Sequence, residues 1–400
     1  MTIRRENNPE NWSTNVGAVV LGGDFQGLGV VRSLGEQGIP VFLIDSEWGI
    51  ARYSRYVSRK IFKPDFISEA VLPQFLLDTG RKEGLEGWVL YPNNDETVKL
   101  LAKHRKTLGT MYRVPVPGWD VVEKFYVKNN LTRFARQVGI PTPREYPAKS
   151  IQGLLDSSPR YPLVLKPVNK EKYYPRTKKK AVLVMNESQL KDEYGKMVKI
   201  LLPSEIIVQE FIEGGTENLF SYGTLFDGEK SVAGLAAARL RQHPMDFGKA
   251  TTFAVSLKDP YLEDMAVNLL KEIGYFGIAE VEFMRDDKDG LYKLLEINGR
   301  PWGWHTLLKA SGINLPYMLF QLMTHKPIPP VEGKEGTKWV RLITDIPTVF
   351  REVVSGRMAL RDYVLSMKGK KHFAVFSVSD PVPFFMEFVL IPYLWWKRGF

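Results

Sequence analysis

Cysteine is absent from this 400-residue chain. Its absence excludes a disulfide scaffold, an iron–sulfur protein and a thiol nucleophile, and it removes the thiolate ligands of most structural zinc sites. Histidine is scarce, at five residues, so a His-rich catalytic metal centre is not expected. No apolar run reaches the roughly 18 residues a transmembrane helix needs. The first fifteen residues, MTIRRENNPENWSTN, lack the apolar core of a signal peptide and read as a flexible arm over 1–15. Acids are outnumbered, 45 against 55 Lys and Arg, which leaves a net charge of +10. Apolar residues are plentiful, at 44%, with 12% aromatic. That suffices for about two to three domains with sizeable cores and excludes a mainly disordered chain. Missing cysteine fits the cytoplasm without requiring it.

The chain opens with strand, glycine turn, helix, strand: Val16 to Leu21, Gly22-Gly23, a helical run to Gln37, then Val41 to Ile44. This is a βαβ unit. Its glycines at 22, 23, 27 and 29 do not fit G-x-G-x-x-G, although Asp45 ends the second strand where a dinucleotide fold puts its ribose acid. The other reading is a turn that packs a helix closely on a sheet, and the spacing favours it. Asp24 in that turn reads as an Asx-turn residue or as a group facing a substrate. Pro115, Pro117 and Gly118 mark a boundary, and Phe125 to Val138 reads as one helix stopped by Gly139-Ile140-Pro141. From Glu205 strands dominate.

The richest chemistry lies on a predicted hairpin, Ile278 to Met284 and Tyr292 to Asn298, joined by Asp286-Asp287-Lys288-Asp289-Gly290. Alternation puts Glu280 and Glu282 on one face, with Val281 and Phe283 on the other, and pairs Glu296 with Asn298 in the same way. Folding about Asp289 sets Glu282 opposite Glu296 and Glu280 opposite Asn298. Like charges so placed repel. A divalent cation reverses that sign, and Mg²⁺ with its oxygen-only sphere suits Glu282, Glu296 and Asn298 as ligands. A solvated sheet face is the alternative. Arg300, in the segment Asn298-Gly299-Arg300-Pro301-Trp302-Gly303, stands just past the acids, where phosphate chemistry wants a guanidinium.

Here the chain resembles the ATP-grasp superfamily. VEF at 281–283 and EINGR at 296–300 match its paired acidic strands, with Gly299 in place of the common proline. Lys128, eleven residues before Gly139, matches the Lys that opens the helix before a G-I-P-x-P turn. Lys166 in PLVLKP matches the strand lysine that contacts phosphates, and Lys180 the lid-side lysine. Glu210, Phe211 and Ile212 match the strand beside adenine, and Glu217 the ribose position. The resemblance spans about 16 to 325 and is nearest to carboxylate–amine ligases of the D-aspartate ligase type and to predicted carboligases.

It implies a mixed α/β and α+β fold: a pre-ATP-grasp α/β domain over 16–117, an ATP-grasp lid subdomain over 118–204, a metal and catalytic subdomain over 205–330, and a C-terminal extension over 331–400. It also implies ATP with Mg²⁺, or Mn²⁺ in its stead, and ligation of a carboxylate to an amine through an acyl phosphate. The alternatives are a carboxylase-type ligase of the same superfamily and a nucleotide- or polyanion-binding protein without turnover. Partners are then small-molecule acids and amines. A homo-oligomer is compatible, and nucleic acid is not expected.

Three features stay open on sequence alone. Residues 166–180 hold seven cations against Glu171, with Tyr173 and Tyr174 among them; a lid over phosphates, a nucleic-acid loop and a solvated loop all fit. The lid stretch contains no glycine. Arg239 and Arg241 share a strand face if alternation holds, and with Lys249 they would grip a substrate carboxylate; Arg241 is taken as the catalytic one, and His243 is a candidate base. Phe384 to Trp396 is apolar except Glu387 and is followed by Lys397 and Arg398. It reads as a terminal helix docked on the body or as a weak peripheral membrane contact.

Overall fold

The computed structural model describes residues 16–168, 170–179, 181–245, 248 and 250–398. The expected arm over 1–15, Lys180 and Lys249 lie outside the described residues.

The first sheet is parallel, in the order β3-β2-β1-β4, from β1 Ala18–Leu21, β2 Val41–Asp45, β3 Val57–Phe62 and β4 Val89–Pro92. β1, β2 and β4 are buried along their whole length, which is why they read as continuous apolar runs. Asp24 caps the helix Phe25–Gly35, accepting from the N–H of Gln26 at 3.0 Å and of Gly27 at 3.1 Å. A Cβ on Gly27 would sit 2.1 Å from the Gly22 carbonyl oxygen, so the helix meets the turn too closely for any side chain. The buried carboxylate of Asp45 accepts from the N–H of Glu47 and of Gly49, both at 3.2 Å. The glycine turn and its acid thus serve packing rather than a dinucleotide.

The second sheet, in the order β5-β8-β6-β7, is antiparallel: β5 Glu145–Tyr146, β6 Leu163–Pro167, β7 Val182–Val184 and β8 Ile206–Glu210. β8, which the sequence reading placed after the 204/205 boundary, is a central strand of this second sheet, paired with β5 and β6. The single helix expected over Phe125 to Val138 is two, Trp119–Tyr126 and Lys128–Gln137. Val127 between them is extended, which leaves Lys128 at the head of the second. The glycine-free stretch after Lys166 is helical over Lys170–Thr177, and Tyr173 is buried in the lid core.

The third sheet has seven strands in the order β13-β12-β9-β10-β11-β14-β15. They are β9 Leu219–Phe226, β10 Ser231–His243, β11 Ala250–Leu257, β12 Gly277–Arg285, β13 Tyr292–Asn298, β14 Lys338–Val340 and β15 Lys371–Phe373. The C-terminal stretch is therefore woven into this sheet through β14 and β15. One core packs the helix Pro260–Ile273 on Tyr222, Val281 and Phe283. Another joins Leu28 and Val31 of the first domain to Trp302, Leu307 and Leu319, fixing that domain beside the sheet.

Candidate active site

β12 and β13 pair with Glu280 opposite Asn298 and Glu282 opposite Glu296, the register predicted from the turn. Val281, Phe283 and Ile297 enter the core from the other face, so the hydrophobic effect holds this alignment: a one-residue slip would turn the acids into that apolar core. Glu280, Glu282 and Asn298 are buried, at 2%, 7% and 9% exposure. Asn298 Nδ2 donates to Glu280 Oε2 at 3.0 Å and to Glu282 Oε1 at 2.9 Å. Arg239, reaching across from β10, donates its Nη2 to Glu282 Oε2. Arg300 Nη2 donates to Asn298 Oδ1 at 3.3 Å, and its Nε to Asp95 Oδ1 at 2.7 Å. Asp95 begins a helix of the first domain, so Arg300 spans the joint between domains.

The charges are unequal. Burial, and then the neighbouring Glu282, push Glu280 well above the ordinary carboxylate range, and burial raises Glu282 as well. Burial acts on Glu296 in the same sense, but Lys128, Arg239 and Arg300 outweigh it and hold this carboxyl below its usual range. Arg239 is opposed by burial and stabilised as a cation by Glu282, Glu280 and Glu296. On the lid side, burial and Lys128 bring Lys166 down to about 8, with Glu145 and Glu296 pulling the other way. Lys128, Lys166 and Glu296 are thus electrostatic neighbours across the cleft.

The remaining expected residues divide. Glu210 is engaged: its Oε1 accepts from Lys293 Nζ at 2.9 Å and from the Arg144 N–H at 3.0 Å. The Phe211 N–H donates to the Pro162 carbonyl at 3.1 Å, and Ile212 is buried, so this strand end is a firm wall. Glu217 is exposed, with its carboxylate folded over Gly215. Gly299 stands where a Cβ would come within 3.0 Å of the Phe125 ring and 3.1 Å of the Tyr275 hydroxyl, a physical reason for glycine in place of proline.

Arg241 is a correction. The register of β10 against β11 shifts on both sides of Arg241, so alternation fails and the two arginines part. Arg241 donates Nε and Nη2 to the two oxygens of buried Asp345, at 2.8 and 2.9 Å, and Nη1 to Ser366 Oγ at 2.8 Å. It is a structural arginine away from the acids. Arg239, the twin left out of the catalytic set, is the one at the ladder. His243 Nδ1 lies 2.7 Å from Thr348 Oγ1 and joins the same structural region. Sequence reasoning also left out Glu280, which shares the acid face, and Asp95, whose only signal was a polar loop after a strand.

The donor set suits a magnesium ion. Glu296 meets no hydrogen-bond donor among the described residues and is held ionised, Glu282 stands opposite it in the strand pairing, and Asn298 lies two residues on. One or two carboxylates with phosphate and water complete such a sphere. Arg239 Nε is buried without a hydrogen-bond partner among the described residues, a donor left over beside the acids.

A family model described as ATP-grasp in the biosynthetic pathway with Ter operon matches residues 227–344. The chain is 23% identical to the D-aspartate ligase of Enterococcus faecium (strain Aus0004) over 336 residues, 80% of this chain and 79% of that protein. Among solved structures it superposes on an L-amino acid ligase from Bacillus licheniformis with a TM-score of 0.60 at 18% identity, covering 78% of this chain and 75% of that one. On the ADP complex of purK, an N5-carboxyaminoimidazole ribonucleotide synthetase, the TM-score is 0.64 at 14% identity over 85% of each chain.

Proposed function

We propose that this chain, which has the ATP-grasp fold, is an ATP-dependent ligase that joins a small carboxylic acid to an amine through an acyl phosphate. The supporting observation is the ladder of buried Glu280, Glu282 and Asn298 with half-buried Glu296, with Arg239 and Arg300 at its edge and Lys166 and Lys128 as its electrostatic neighbours.

The substrate carboxylate attacks the γ-phosphorus, and the bond to ADP breaks. The amine then attacks the acyl carbon; a C–N bond forms, the C–O bond to phosphate breaks, and the surplus amine proton leaves to solvent. Lys128 and Lys166 offset triphosphate charge, Lys180 does so from the lid, and the Glu210-Phe211-Ile212 strand end walls the adenine with Glu217 near the ribose. Glu282, Glu296 and Asn298 would hold Mg²⁺, or Mn²⁺ in its place, and an ion held there would supply neutralisation of charge on the phosphate oxygens. Asn298 is oriented for this by its two bonds to Glu280 and Glu282. Arg300, aimed by Asp95 and Asn298, stabilises first the phosphoryl group and then the oxyanion.

A coupled ADP assay over pools of acids and amines, with phosphate as second readout, tests the reading. Turnover that needs both an acid and an amine supports it. Turnover that needs bicarbonate and no amine marks a carboxylase-type ligase, and nucleotide binding without ADP release marks a binding protein.

A further inference from the structure

Among the described residues, 14 of the 22 exposed large apolar side chains lie between Ile346 and Trp396, about an eighth of the chain. They form outward stripes. Ile346, Phe350 and Val354 recur every fourth residue along the helix Leu342–Val354. Phe385, Phe388 and Val389 mark the outer side of the helix Val382–Val389, whose inner side buries Pro383 and Glu387. Ring contacts bind the second stripe together: Phe376 to Phe384 at 5.2 Å and Phe384 to Phe388 at 5.1 Å between centroids. Arg341, one residue before the first helix, donates to Glu387 on the second at 3.0 Å and so ties the stripes. The first domain continues the surface. Exposed Trp48 donates its N–H to the Tyr393 hydroxyl at 3.4 Å and packs on exposed Phe62 at 5.3 Å.

Charge on this region is sorted by sign. Residues 342–398 contain five acids. Four of them, Asp345, Glu352, Asp380 and Glu387, are buried and paired with Arg241, Arg357, Arg32 and Arg341. The exposed charges are Arg351, Arg357, Arg361, Lys368 and Lys370 against Asp362. The outer surface is therefore apolar and cationic at once. No helix among the described residues is long and apolar enough to cross a membrane.

We propose that this face docks peripherally on an anionic lipid bilayer. A second copy of the chain would set cation against cation, with one exposed acid, Asp362, to answer Arg351, Arg361, Lys368 and Lys370. A bilayer with anionic headgroups offers an apolar layer for the rings and counter-charge for the bases at the same surface. On this proposal the two readings of the C-terminus apply to different sides of one helix: its inner side is buried against the body, and its outer side would meet lipid. The proposal stands apart from the ligase reading and needs no turnover.

The test is co-sedimentation of the full chain with phosphatidylglycerol–phosphatidylcholine vesicles and with pure phosphatidylcholine vesicles, at low and high salt. Binding should favour the anionic vesicles by about tenfold or more and fall with salt, since each surface cation contributes about fivefold. Phe385→Glu with Phe388→Glu should cut binding by roughly 100-fold, about tenfold per ring, with secondary structure retained by circular dichroism. Tyr261→Glu removes an exposed ring on the helix Pro260–Ile273 and should bind as the parent does. Absence of binding to anionic vesicles, equal binding to both kinds, or an unchanged double variant overturns the proposal. So does a parent dimer in light scattering that the double variant splits, which would make the face a self-interface.

Discussion

Arg239 and Arg241 stand two residues apart on β10, the first half-buried and the second buried, both facing carboxylates, yet they belong to different regions. At Arg241 each guanidinium nitrogen has an oxygen partner, the two Asp345 oxygens and Ser366 Oγ, and the Phe253 ring lies 4.0 Å beneath the guanidinium. Asp345 also accepts from Thr252 Oγ1 at 2.8 Å. At Arg239 the balance is incomplete. Its Nε has no partner, and it faces three acids, one of which, Glu296, meets no donor. A finished ion pair holds the C-terminal helix Leu342–Val354 to the sheet; an unfinished one leaves capacity for a ligand. The contrast separates structure from function by satisfaction rather than by residue type.

The contrast breaks if the finished pair proves dispensable. Asp345→Asn leaves the Arg241 charge buried and uncompensated, and stability to urea should fall by about 3–5 kcal/mol. The surviving folded fraction should turn over normally. Next in size is Glu296→Gln. It removes the one ionised, unpaired ladder carboxylate, so turnover should drop on the order of 10²–10³-fold, while the urea midpoint barely moves. Full activity at saturating Mg²⁺ would instead return the ladder to a solvated sheet face. Smaller again, Lys166→Ala should weaken a non-hydrolysable ATP analogue by about 1.5–3 kcal/mol, read by calorimetry.

The Lys166 shift sharpens the comparison by pH. A free lysine titrates near about 10.4, and this one is brought down to about 8. Between those values the unfolded chain holds a proton that the folded chain has lost. The penalty for burying this ammonium is therefore fully present below about 8, and stability from this group rises as pH climbs through the window. A bound triphosphate favours the charged form, so nucleotide binding near pH 8.5 should take up protons and weaken as pH rises further. Calorimetry in buffers of different ionisation enthalpy reads the uptake, and Lys166→Ala should abolish it. Uptake that persists in that variant would place the titrating group elsewhere.

What could be read from the sequence follows from which forces are local. The pairing of Glu280 with Asn298 and of Glu282 with Glu296 was predicted from alternation, but a register shift between Glu282 and Phe283, which pairs Phe283 with Leu294, separates it from the turn and was not foreseen; the glycine turn at 22–27 was legible from its spacing. Three further things were not. The two register shifts around Arg241 leave no trace in a run of alternating residues, so the parting of Arg239 and Arg241 was not foreseen. The break at Val127 carries no glycine or proline to announce it. β8 reads as any apolar strand, and only its hydrogen bonds to β5 and β6 assign it to the second sheet. The Asp95 contact to Arg300 joins residues 205 positions apart and belongs to the domain arrangement, which no local pattern encodes.

The account rests on an acyl phosphate formed at the ladder, and isotope transfer reads that step directly. An acid that supports amine-dependent ADP release, labelled with ¹⁸O in its carboxylate, should deliver one labelled oxygen into each phosphate released. Phosphate that emerges unlabelled while the amide product still accumulates would contradict it.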